Sequence, residues 1–292
     1  MQIAGGGYTG PKEVRYLFID GEQLRKTAED VGKDWFGKPI ELDYAKLQGL
    51  HLKVFYYDCL PAKRASESDE ENVARRAEKE AFFNELRELQ GWHVSEGVAR
   101  HRKKERQEQK EVDILIAVDM LTHTHRRNMH RLTFISGDQD FAPLIEAVVR
   151  EGMYVELLYP EGRTSTDLRN FADVARPMDV DFLMGVATDT FVRSNGLPTR
   201  EYMYDSSPRG AQLQEEGFRG GLLVARLWKD ETGLHTIKQA NEVHGQYLTV
   251  RHPDLPKAKR YFEHTAGALD WQPPPVPRTI ASLGGKARPD SL

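Results

Sequence analysis

Leu132-Thr-Phe-Ile-Ser136-Gly-Asp138-Gln-Asp140-Phe-Ala-Pro143-Leu-Ile-Glu-Ala-Val-Val-Arg150-Glu-Gly152-Met-Tyr-Val-Glu-Leu-Leu-Tyr159 reads as strand, turn, helix and strand in succession. Leu132 to Ile135 is a short apolar run with β-branched and aromatic residues, the pattern of a buried strand. Pro143 suits an early helical position, where its missing N–H leaves no hydrogen bond unmade, and Gly152 supplies the stop. Met153 to Tyr159 then resumes the strand pattern. Strand and helix signals that alternate in this way predict a parallel sheet covered by helices.

The same alternation extends in both directions. Val14 to Ile19 and His51 to Tyr57 read as further strands, with a helical pattern through Leu24 to Ala28 between them. A charged helix is expected over about 70 to 90, where Val73, Ala77, Ala81, Phe82, Leu86 and Leu89 recur at helical spacing before Gly91. Trp92-His-Val reads as a short strand, and from Val112 the residues Ile114 to Ala117, Met120 and Leu121 suit a mostly buried helix. The expected class is therefore α/β, with helices on both faces of the sheet. The main domain is placed at 13–185, after a flexible lead-in at 1–12. A break near Ser194 to Pro198 precedes a small α+β appendage at 198–268, with strands expected at 221–228, 235–239 and 246–250 and a helix at 256–264. The segment 272–292, rich in proline, glycine and small residues, is expected to be a disordered tail.

Composition narrows the class. Of 292 residues, 39% are hydrophobic and 29% charged, the balance of a soluble globular chain. No apolar run approaches the roughly 20 residues that span a bilayer, so no membrane partner is expected. The amino terminus lacks the basic and apolar segments of a secretory signal, which makes the cytoplasm the expected compartment. The lone Cys59 has no partner for an internal disulfide and reads as a small buried apolar residue. At a formal charge of −4 the molecule does not attract polyanions as a whole, so any such site must be local. The strongest local candidate is the basic run containing Arg100, Arg102, Lys103, Lys104 and Arg106, just ahead of Asp113.

The aspartates carry the chemistry. In open α/β sheets ligands bind beyond the carboxyl ends of the strands, which is where Asp20, Asp138 and Asp140 follow their apolar runs. If the fold adds Asp113, these carboxylates form a pocket for a hard divalent cation. Without the cation they repel one another; with it they are neutralised. That arrangement points to a metal-dependent phosphodiesterase. Each has a plainer use, since Asp20 and Asp113 can start helices and either Asp138 or Asp140 can face a helix dipole, but capping does not account for both of the last two. Asp119 lies six positions after Asp113, roughly 240° around a helix, and faces elsewhere. Ser136 can reach a phosphate or the helix start. His123, His125 and His130 do not share a helix face in the way a zinc site needs, and read as cations closing a helix. A haloacid dehalogenase reading fails because Glu22 stands where its second aspartate belongs.

Taken together, Phe18-Ile-Asp20-Gly-Glu-Gln23-Leu, Lys110-Glu-Val-Asp113-Ile-Leu-Ile-Ala-Val-Asp119 and Ile135-Ser-Gly-Asp138-Gln-Asp140-Phe-Ala-Pro-Leu-Ile resemble, in order and spacing, the NYN domain of the PIN-like nuclease superfamily. Thr164 to Asp173 is similar to the closing helix of its LabA-like branch. The resemblance covers about residues 13 to 185. It implies a Rossmann-like, PIN-type fold, a Mg2+ or Mn2+ cofactor, and single-stranded RNA as substrate. It places Asp20, Asp113, Asp138 and Asp140 on the family's acidic positions, as metal-binding and catalytic groups, and Asp119 on a further acid often found in that helix. Gln23 stands where the family usually has asparagine, with the same amide on a longer arm. Two functions remain open at this point: a ribonuclease, or a catalytically silent domain that binds RNA or a protein partner. The carboxyl-terminal region offers a surface for a protein partner or for self-association.

Overall fold

The computed structural model describes residues 13–64, 66–97, 106–204, 208 and 210–275, with the backbone alone for 106–110. The chain divides into two compact units between Asn195 and Gly196. The first contains, in order, β1 (Arg15–Asp20), α1 (Gly21–Phe36), α2 (Tyr44–Gln48), β2 (Lys53–Cys59), α3 (Asp69–Glu88), β3 (Trp92–Gly97), α4 (Arg106–His125) and β4 (Arg131–Ile135). It continues with a 3-10 turn (Gln139–Phe141), α5 (Ala142–Arg150), β5 (Tyr154–Tyr159), α6 (Thr166–Phe171), β6 (Val174–Pro177), α7 (Val180–Gly185) and α8 (Asp189–Ser194).

Its six strands form a sheet in the order β3-β2-β1-β4-β5-β6, and every neighbouring pair is parallel. The chain builds outward from β1 on one side and from β4 on the other. The order therefore reverses between β1 and β4, and their carboxyl ends flank the crevice where such sheets bind ligands. Period-two alternation along β1 explains the two helical layers. Tyr16 and Phe18 join a core with Phe55, Tyr57, Ile116 and Met120 of α4, and Ile145 and Val148 of α5. Leu17 and Ile19 face the other way, into a core with Leu24 of α1, Tyr56, and Phe83 and Leu86 of α3.

Local chemistry sets the turn that matters most. Asp20 caps α1 by accepting from the Gln23 N–H at 3.1 Å. Gly21 follows because a Cβ there would lie 2.4 Å from the Tyr56 ring. Helix α4 starts at Arg106, six residues before the apolar pattern that predicts it. Gln107 to Glu111 are good helix formers but polar, so hydrophobic periodicity leaves that turn unmarked. Asp113 consequently sits about two turns inside the helix rather than at its start.

The second unit contains β7 (Thr199–Met203), β8 (Gln212–Arg219), β9 (Leu222–Lys229), β10 (His235–Gln239), β11 (Tyr247–His252), α9 (Leu255–Ala266) and β12 (Asp270–Gln272). These strands form an antiparallel sheet in the order β12-β8-β9-β10-β11-β7, and α9 packs on β10 and β11. Arg100, Arg102, Lys103 and Lys104 lie outside the described residues, as do 1–12 and 276–292, while Arg106 opens α4 with only its backbone described. Among the described residues, no helix is long and apolar enough to cross a membrane.

Candidate functional site

Four carboxylates from three separated segments meet at the carboxyl ends of β1 and β4. Asp20 ends β1, while Asp138 and Asp140 follow β4 through the turn at Gly137. Ser136, which is fully buried, ties the two strand ends together. Its hydroxyl donates to Asp20 Oδ2 at 3.3 Å and accepts from the Asp138 N–H at 3.2 Å. Asp138 in turn accepts from the Asp140 N–H at 2.9 Å, capping the 3-10 turn ahead of α5. Asp113 arrives from α4, and Val112 and Asp113 line a small cavity with Asp20, Glu22, Tyr57, Asp58 and Cys59.

The electrostatics of this cluster are unfavourable. Burial pushes the Asp20 carboxyl up to about 7; the Glu22 and Asp113 charges add to the rise, while the Gln23 N–H and the Ser136 hydroxyl oppose it. Burial likewise lifts Asp113 to about 6, reinforced by the charges of Asp138, Asp140 and Glu22. Among the described residues no cation appears among these causes. The donors are all carboxylate oxygens, the chemistry a hard divalent ion takes, but no three of these four acids bring oxygens within 4.8 Å of one another, so side-chain movement or bridging water would have to close the site around an ion.

The secondary residues separate. Asp119 does not line the cavity and accepts from the hydroxyl of Tyr57, which does, at 2.8 Å. Gln23 serves Asp20 through its backbone N–H, and its side-chain amide makes no hydrogen bond among the described residues. Ser136 contributes more than a helix start, since it joins two of the acids. The histidines near the end of α4 diverge: His130 Nδ1 accepts from the Val14 N–H at 2.9 Å, His125 lies 3.7 Å from Glu151, and His123 packs against the Tyr16 and Phe55 rings. Burial lowers the His123 pKa, and its half-buried ring packs on the aromatic residues of β1 and β2.

Two residues escaped the sequence reading. Glu22, on the exposed first turn of α1, adds a fifth negative charge beside the cluster. Asp58, at the end of β2, is buried and paired with Arg25 and with Lys79 Nζ at 2.7 Å. It also accepts from the Tyr56 hydroxyl at 3.1 Å and the Cys59 N–H at 2.8 Å. Asp58 after an apolar strand was a usable signal, because Asp20 stands in the equivalent place on the neighbouring strand.

Comparison with known proteins adds a family. The model of the NYN domain matches residues 16–179. Among solved structures, the chain is similar to a protein of unknown function from Vibrio parahaemolyticus, with 18% identity and a TM-score of 0.41 over 58% of this chain and 94% of that one. No curated protein matches.

Proposed function

The chain belongs to the NYN domain family, and from that premise we propose that it is a Mg2+- or Mn2+-dependent ribonuclease of the LabA-like branch acting on single-stranded RNA. The observation that carries this reading is the gathering of Asp20, Asp113, Asp138 and Asp140 at the reversal of strand order, with the first two displaced upward and no cation among the described residues contributing to their shifts. A divalent ion held there supplies Lewis-acid activation of water and offsets charge on a scissile phosphodiester. The chain's own contribution is placement. The β1 end and the α1 cap hold Asp20, and Ser136 fixes Asp20 and Asp138 relative to each other. The 3-10 turn presents Asp140, and α4 brings Asp113 over the strand ends. Thr164 to Asp173, the stretch similar to the LabA-like closing helix, contains α6, and Asp173 then accepts from the Val155 N–H at 2.8 Å beside β6.

The test is cleavage of a single-stranded RNA in Mg2+ or Mn2+ by the full chain and by Asp138→Asn. The variant should fold with parental circular dichroism and release no product. Cleavage that survives this substitution would remove the reading. RNA retained in EDTA by a parent that releases no product in either metal would replace it with a silent RNA-binding module.

A further inference from the structure

The acid cluster explains how one phosphate is engaged and leaves open what holds the rest of a polyanionic chain against so much negative charge. An open groove adjoins the small acidic cavity and shares Glu22, Asp58 and Cys59 with it. Its other charged lining residues are the cations Arg25, Lys26, Arg64, Arg75 and Lys79 and the acids Glu29, Asp30 and Glu78. Arg75 is matched by Glu67 at 2.7 Å, whereas Lys26 and Arg64 have no carboxylate partner among the described residues.

At the floor of the groove two cations share one carboxylate. Arg25, from the second turn of α1, grips Asp58 with both terminal nitrogens, and Lys79, from α3, bonds the same group. The carboxylate is hidden, at 2% exposure, while Lys79 and Arg25 keep 16% and 34% of their side chains open. The network therefore shows its positive edges to the groove and conceals its negative centre. Lys79 spends one of its three N–H donors on Asp58, and its ammonium also lies over the Phe82 and Phe83 rings at 5.5 and 5.2 Å. Arg25 stands five residues after Asp20, so at 1.5 Å per residue it lies about 7.5 Å farther along the α1 axis. That offset suits a phosphate flanking the reacting one, not the reacting one itself.

We propose that Arg25 and Lys79, set in place by Asp58, form an anchor for the backbone phosphate of a nucleotide adjacent to the cleavage position, and that the groove carries the RNA strand away from the metal site. This rests on the single-stranded RNA reading given above. The two residues position substrate and take no part in bond breaking.

The experiment compares Lys79→Gln, Arg25→Gln and the charge-restoring Lys79→Arg with the parent, in Mn2+, on a single-stranded oligoribonucleotide and on a dinucleotide that has no flanking phosphate. Lys79→Gln keeps the Arg25 pair to Asp58 and should fold, so it carries the test even where Arg25→Gln does not. It should raise KM for the oligomer about tenfold with kcat within twofold, leave the dinucleotide unchanged, and reduce the salt dependence of log KM by about 0.7, the value of one lost phosphate contact on a single strand. Lys79→Arg should restore both readouts. Unchanged KM and salt slope in folded Lys79→Gln overturn the anchor, as does an equal loss on the dinucleotide, which marks a structural role. Should the parent cleave neither RNA, the nuclease reading fails, and binding measured by fluorescence anisotropy judges the anchor. A weaker, less salt-dependent Lys79→Gln complex supports it, and parental binding or none overturns it.

Discussion

Replacing Asp20 by Asn should stabilise the metal-free protein at neutral to alkaline pH while destroying its response to metal. Asp20 sits at about 7 in the folded chain against an ordinary 3.8, chiefly because burial penalises its charge. Between those values the folded state holds a proton that the unfolded state has released, so stability falls as pH rises from about 4 to about 7. The full displacement corresponds to at most about 4 kcal/mol at pH 8, a ceiling that local relaxation and water reduce. Asn carries no charge to desolvate and remains as good a helix cap as Asp, so the Gln23 N–H keeps its acceptor. At about 2–4 °C per kcal/mol for a domain of this size, Asp20→Asn should melt several degrees above the parent at pH 8 in EDTA. The difference should vanish near pH 4, where the folded carboxyl is already neutral. Adding Mg2+ or Mn2+ at pH 8 should reverse the order, because only the parent gains the linkage term of a bound ion. Thermal melts of both proteins from pH 4 to 8, with and without metal, decide it. An Asn variant that melts at or below the parent at pH 8 in EDTA, or a gap equal at both ends of the pH range, would refute the reasoning.

Ser136→Ala removes the tie between Asp20 and Asp138 and should weaken Mn2+ binding about 10–100-fold by titration calorimetry, the usual cost of losing a group that orients metal ligands; parental affinity would show that the tie is idle. Metal affinity should fall as pH drops from about 7 toward 5, because protons compete for Asp20 and Asp113, and a flat profile over that range would contradict the assigned ligands. Asp119→Asn should leave affinity within about threefold, since Asp119 is engaged by the Tyr57 hydroxyl and does not line the cavity; a tenfold loss would bring it into the site. Gly21→Ala drives a Cβ to within 2.4 Å of the Tyr56 ring and should cost about 1–3 kcal/mol of stability by urea unfolding. A parental midpoint would mean that Tyr56 moves freely, against its full burial.

The parallel sheet is legible in the sequence because its four central strands, β2, β1, β4 and β5, are largely buried apolar runs. Leu132 to Ile135 and the run before Asp20 could hardly be read otherwise. The second unit was harder. Strand β8, Gln-Leu-Gln-Glu-Glu-Gly-Phe-Arg, is mostly polar and shifts register twice against β9, so neither periodicity nor β propensity marks it. The short β12 owes its existence to pairing with β8, which no local pattern encodes. In the site, the acids following strands could be nominated one by one. Their number around the cavity could not, because Glu22 and Asp58 enter through the α1 turn and the register of β2 against β1, where Asp20 pairs with Tyr57.

Asp20 and Asp58 show why burial alone does not identify a metal ligand. Both are acids at the carboxyl ends of adjacent strands, and burial pushes both upward. For Asp58 the charges and hydrogen bonds of Arg25 and Lys79 overcome that push and hold the carboxyl below its ordinary range. For Asp20 the nearby charges are Glu22 and Asp113, which add to it. Among the described residues, cations thus serve one carboxylate and not the next, although Arg25 stands on the helix that Asp20 caps. A stabilising salt bridge would have been served by the same arrangement at both places. On the proposed nuclease reading the divalent ion belongs at the second, and the Arg25–Asp58–Lys79 network leaves Asp58 already neutralised and so a poor competitor for that ion.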